Sequence, residues 1–111
     1  MQDESSPFSR AKELDAHVTS VVMRFDIDAL PAAEQELLKT LKRLATDIRL
    51  DIRDYGLAET RAEQTQMAEE MTRRLAALEQ LVAKAGELSM LSPVDVAHLS
   101  ALTQQLVADL R

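Results

Sequence analysis

The chain has 111 residues and a formal net charge of −6, with 46% apolar and 29% charged side chains. This length suits a single domain, and the apolar fraction is too high for a chain that is disordered throughout. The acidic balance argues against nucleic acid and anionic membranes as main partners. Because the sequence has no cysteine, it excludes disulfides, thiolate zinc sites and thiol nucleophiles, and we expect a protein of the reducing cytoplasm.

The composition predicts an all-α protein. Two glycines and three prolines in the whole chain are too few for a fold built on strands and tight turns. Leu, Ala, Glu, Gln and Arg dominate instead, and these residues favour helix. No apolar run reaches the roughly 18 residues of a membrane-spanning helix, and the acidic N-terminus is unlike a signal peptide.

Residues 1–6 are predicted to be a frayed tail, and residues 7–111 a single helical-bundle domain. The first helix begins at Ser6-Pro7, an N-cap serine followed by a proline at the first helical position, where the missing N–H is harmless. Apolar residues then recur at helical spacing, which places them on one face. These residues are Ala11, Leu14, Val18, Val21, Val22 and Phe25. Pro31 ends the break that follows and begins the next helix.

The second helix is expected to run from about Pro31 to Tyr55, and its surface divides into three arcs. The apolar arc contains Leu37, Leu38, Leu41, Leu44, Ala45, Ile48, Ile52 and Tyr55. The basic arc on one side of it contains Lys39, Lys42, Arg43, Arg49 and Arg53, together with the exposed Leu50. The acidic arc on the other side contains Glu36, Asp47, Asp51 and Asp54.

Gly56 offers a place for the second helix to end. A left-handed glycine after the last helical residue would let the chain turn, and the accompanying apolar contact would join Ile52 and Leu57. The alternative is one continuous helix through Gly56, whose apolar stripe would rotate by roughly 120° at this point. Because a straight helix would then present its two halves to different sides, we favour a break.

The third helix is expected over about residues 58–85, with Thr60 and Glu63 as a capping box and Gly86 at its end. Its apolar stripe is Leu57, Met67, Met71, Leu75, Leu78, Val82 and Ala85. Ser92-Pro93 repeats the serine–proline start and opens a fourth helix. The apolar residues of that helix are Val96, Leu99, Leu102, Leu106, Val107 and Leu110.

Short connections between these helices predict an antiparallel bundle of about four helices. The second and third helices, at about 25 residues each, would be near 37 Å long. We therefore expect a long central hairpin of these two helices that projects beyond the shorter pair. A projecting apolar hairpin favours association with a second copy, so a homodimer is predicted.

The sequence predicts no catalytic residue, no cofactor, no metal site and no small-molecule substrate. Two isolated glycines cannot form a phosphate-binding loop, and no serine stands in a strand–turn–helix elbow. Asp95 and His98 match half of a di-metal carboxylate motif, but Glu13 and His17 are spaced by four residues and do not supply the other half. We interpret Asp95 as a capping acid and both histidines as boundary residues.

Partner binding is the function that the sequence favours, as a non-enzymatic adaptor, regulator or assembly factor that pairs with itself or with another protein. Charges beside an apolar seam set partner and orientation in helix pairs, and in a parallel self-pair the basic arc would meet the acidic arc. The predicted contact residues are Lys39, Lys42, Arg43, Arg49, Leu50, Arg53, Met67 and Met71. Core filling is the alternative for the two methionines. A phosphate backbone is the alternative partner of the cations, although no aromatic residues interleave them for base stacking.

Overall fold

The computed structural model describes residues 6–110, which form an all-α bundle as predicted. The elements are α1 (Pro7–Val22), a 3₁₀ helix (Ile27–Ala29), α2 (Ala32–Leu57), α3 (Arg61–Glu87) and α4 (Pro93–Asp109). Residues 1–5, which make up most of the predicted tail, and residue 111 lie outside the described residues.

Three of the helices begin with the caps that the sequence predicts. The side chain of Ser6 accepts a hydrogen bond from the backbone N–H of Ser9 at 3.0 Å. Ser92 caps α4 in the same way. At the start of α3, Thr60 and Glu63 each accept a hydrogen bond from the other's backbone N–H, which confirms the capping box. These local contacts satisfy N–H groups that have no partner within the helix.

The break between α2 and α3 is confirmed, but the predicted role of Gly56 is wrong. Gly56 is helical, and α2 continues to Leu57. Ala58 then adopts an extended conformation, which turns the chain directly into the Thr60 cap, so no left-handed residue is needed. Leu57 is 72% exposed and therefore does not form the predicted apolar cap.

Gly86 does not end α3 either. The left-handed residue is Ser89, with φ of 61°. The N–H of Ser89 donates to the carbonyl of Gly86, and the N–H of Met90 donates to the carbonyl of Ala85, which is the Schellman pattern. Gly86 has a different role, because a Cβ atom there would lie 2.9 Å from Cγ2 of Val96 on α4. The glycine lets α3 and α4 approach closely.

The predicted apolar stripes of all four helices meet in one core. The largest fully buried side chains are Leu14, Val18, Val21, Leu38, Leu41, Ile48, Met71, Leu75, Leu78, Val82, Leu99 and Leu106. Each helix contacts the next along the chain, and α1 contacts α4, which closes the bundle into a ring. The described residues measure 46 × 28 × 19 Å. At the standard rise, α2 and α3 are roughly 40 Å long and the other two helices roughly 25 Å, so the central hairpin is the longer pair.

Alanine substitutions at the two glycines test their different surroundings. Gly56→Ala is expected to raise the free energy of unfolding by about 0.5–1 kcal/mol, because alanine favours helix and its Cβ meets open space. Gly86→Ala is expected to lower it, because the stiff Val96 side chain cannot easily move away. In a Val96→Ala background, Gly86→Ala should become stabilising. Urea unfolding measures all four variants, and equal stabilisation at both glycines in the wild-type background would rule out the close approach.

Candidate functional site

The basic flank of α2 faces α1. Asp15 of α1 is only 7% exposed, and one of its carboxylate oxygens accepts hydrogen bonds from Lys42 Nζ at 3.0 Å and from Thr46 Oγ1 at 3.1 Å. Arg49 Nε lies 3.1 Å from the other oxygen, close enough for an ion pair although the hydrogen bond is not aligned. Two cations of the predicted basic arc therefore hold α1 and α2 together.

The acidic flank of α2 faces α3. Asp51 forms an ion pair with Arg74 of α3. Burial raises the pKa of Asp51 above its usual range, against the opposing effect of the Arg74 guanidinium, and the neighbouring carboxylates add to the rise. Both charge flanks of α2 thus have partners within the same chain, which is what charges beside an apolar seam do between paired helices.

The remaining cations of the predicted arc point outward from α2. Lys39, Arg43 and Arg53 are exposed, and Leu50 between them is 39% exposed. Arg53 contacts Asp54 at 3.5 Å, with both side chains more than half exposed, so this pair contributes little.

Sequence reasoning missed the part of this surface that α1 supplies. Lys12 lies four residues after Phe8 and three residues before Asp15. At this helical spacing all three residues lie on the same side of α1. The Lys12 ammonium lies 5.6 Å from the centre of the Phe8 ring, which is 41% exposed. This spacing was visible in the sequence, but the sequence does not say which helix Asp15 faces. We define the basic face as Phe8, Lys12, Lys39, Lys42, Arg43, Arg49, Leu50 and Arg53.

The two methionines predicted to contact a partner do not belong to the basic face. Met71 has no exposed surface and packs in the core, which favours the core-filling alternative over a partner contact. It follows the helical spacing of Leu75 and Leu78, which are equally buried. Met67, one turn earlier, is partly buried against the same core.

Asp95 is more than a capping acid. It is 6% exposed, and its Oδ1 lies 3.0 Å from His17 Nε2 while its Oδ2 accepts a hydrogen bond from Arg24 at 2.9 Å. On the same α1–α4 contact, His98 Nε2 lies 3.1 Å from Glu13 Oε2. The structure therefore brings together both residue pairs that sequence reasoning compared with a metal motif. We call Glu13, His17, Arg24, Asp95 and His98 the histidine junction.

The histidine junction holds Asp95 as a carboxylate. Burial alone would raise the pKa of Asp95, but the hydrogen bonds from His17, Arg24 and Ser92 outweigh it and leave the pKa below its usual range. Nowhere in residues 6–110 do three His, Cys, Asp or Glu side chains converge in a way that could hold a metal ion. The junction is an arrangement of ion pairs and hydrogen bonds between two helices.

Comparison with known proteins identifies no relative: no family model, no curated protein and no solved structure matches this chain. A search of the described helices finds none that is both long enough and apolar enough to cross a bilayer.

Replacing Asp95 tests the junction. We expect Asp95→Asn to lower the free energy of unfolding by about 1–2 kcal/mol at neutral pH, because Arg24 and His17 lose a charged acceptor. In the folded protein the pKa of Asp95 is lowered from its ordinary value of 3.8. The stabilisation by the Asp95 carboxylate is therefore fully present above pH 3.8 and is lost as the pH falls through the folded pKa. Urea unfolding over a pH series should therefore show the wild type and the variant converging only in strong acid. Asp54→Asn, in an exposed pair, is the matched control with a change below about 0.5 kcal/mol.

Proposed function

We propose that the chain is a non-enzymatic protein-interaction module of the cytoplasm, an adaptor, regulator or assembly factor, whose basic face binds an acidic amphipathic segment of a partner protein. The observation that supports this most is the basic face itself. On α1 the exposed Phe8 ring has Lys12 over it, and on α2 the exposed Leu50 lies in the same arc as Lys39, Arg43 and Arg53. These cations belong to a chain whose net charge is −6. Apolar side chains inside a polar rim are the usual composition of a protein interface.

The outward charges of α2 favour an acidic partner over a second copy of the chain. Lys39, Arg43 and Arg53 are exposed beside Leu50. Because the apolar seam of α2 is buried in the bundle, a second α2 could pack only against this outward arc. There the cations of the two copies would meet, and juxtaposed like charges oppose association. A partner that carries carboxylates on both sides of an apolar stripe would instead match the cations and cover Leu50.

A protein segment also suits the face better than nucleic acid. Lys42 and Arg49 are already paired with Asp15, which leaves fewer cations for phosphate contacts. Phe8 is the aromatic residue on this face, and its ring already lies against Lys12. One occupied ring provides little base stacking, which single-stranded nucleic acid binding uses.

Binding of a designed peptide tests the proposal. The probe is a labelled helical peptide of about 20 residues with leucines on one stripe and glutamates on both flanks, followed by fluorescence anisotropy. We expect salt-sensitive binding that the triple variant K39E/R43E/R53E weakens at least about tenfold, because each attraction becomes a repulsion. Phe8→Ala and Leu50→Ala should weaken binding as well, with little change in its salt dependence.

The matched control is R61E/R73E/K84E on α3, which reverses three exposed cations away from the basic face. An equal loss of affinity in both triple variants would mean that net charge drives binding, and would contradict the proposal. The phosphate-binding alternative would be favoured if the chain binds single-stranded or duplex DNA more tightly than the peptide and K39E/R43E/R53E abolishes that DNA binding. No binding to either probe would also count against the basic face as a docking surface.

Self-association is a separate prediction. Met23, Leu88 and Val94 are exposed apolar residues outside the basic face, at 78%, 44% and 77% exposure. Sedimentation equilibrium at tens of micromolar is therefore expected to show a dimer that survives K39E/R43E/R53E. A strict monomer at that concentration would remove the homodimer prediction and leave the peptide test unaffected.

A further inference from the structure

Both histidines of the sequence meet at the histidine junction. Their ring centroids are 4.7 Å apart, with the ring planes tilted by 41°. Each ring has a carboxylate of the opposite helix as its partner, since His17 on α1 contacts Asp95 on α4 and His98 on α4 contacts Glu13 on α1. Arg24, in the segment after α1, is the other charged group at the junction.

The charge of the junction changes sign as the rings take up protons. With neutral rings, two carboxylates face one guanidinium, which leaves one excess negative charge. One added proton balances the junction, and a second leaves one excess positive charge. Histidine is the side chain whose charge ordinarily changes between about pH 5 and 8.

The two protons do not act alike on the α1–α4 contact. The first places an imidazolium beside a carboxylate, and such charge-assisted hydrogen bonds are stronger than neutral ones. The second places two like charges on neighbouring rings. The side chains of His17 and His98 are 24% and 42% exposed, and charges that are partly buried are screened less than fully solvated ones.

We propose that the histidine junction is a proton-responsive contact between α1 and α4, tightest when one of the two rings is protonated and opposed by the second proton. This inference is independent of the proposed function, because it concerns the α1–α4 contact and not the basic face. It assigns a regulatory role to residues that sequence reasoning took for boundary positions.

A double-mutant cycle at two pH values tests it. The variants H17Q, H98Q and H17Q/H98Q are unfolded with urea beside the wild type at about pH 8 and about pH 5, which span the ordinary titration of histidine. Near pH 8 the effects of the two substitutions on the free energy of unfolding should be close to additive. Near pH 5 the coupling should become unfavourable by at least about fivefold in the unfolding equilibrium constant, because that is the effect of two unit charges at this separation in bulk water.

Two further measurements make the result specific. The same cycle in an E13Q background should keep the unfavourable coupling between His17 and His98 at low pH, because the repulsion acts between the two rings. Loss of this coupling in the E13Q background would overturn the proposal. A cycle on Arg10 and Asp109, an ion pair on the same helix contact at 2.6 Å, contains no histidine and should give equal coupling at both pH values. Unchanged or favourable coupling between the histidines near pH 5 would also overturn the proposal.

Discussion

Burial of one leucine-rich face on each of four helices is the interaction on which the rest of the structure depends. Each large aliphatic side chain that is removed from water contributes about 1.5–3 kcal/mol, whereas an exposed ion pair contributes about 1 kcal/mol or less. The twelve largest fully buried side chains come from all four helices. Detachment of any one helix would therefore expose apolar core side chains to water. The charged contacts can bias this assembly but cannot replace it.

Charged side chains distinguish one arrangement of the four apolar faces from others of similar burial. Each helix contact contains at least one of them: Asp15 with Lys42 between α1 and α2, Asp51 with Arg74 between α2 and α3, Arg10 with Asp109 between α1 and α4, and Glu79 with Ser100 between α3 and α4. Aliphatic stripes tolerate a shift along the helix axis better than these pairs do. A polar pair at one position along the helix axis makes a shifted register, or packing against a different helix, less favourable. Paired helices gain specificity in this way.

The features that could be predicted from the sequence are those that depend on neighbours within one helix. Ser6, Thr60 and Ser92 were identified as caps because a cap involves only the next three residues. Gly56 and Gly86 were misjudged because a helix can end without a glycine, and because the close neighbour of Gly86 lies on another helix. Asp95 and Phe8 were undervalued for a related reason. The spacing fixes which face of a helix a residue occupies, but the element opposite that face is set by the tertiary fold.

The short helix α1 connects the two polar regions of the molecule. One side of α1 carries Phe8, Lys12 and Asp15 toward the basic flank of α2, and another carries Glu13 and His17 toward α4. With 16 residues, α1 makes few turns in which to hold both contacts. Between these two sides, Leu14, Val18 and Val21 are buried in the core and hold α1 in place. The two polar regions therefore lie on different sides of the same helix, and each can be tested separately.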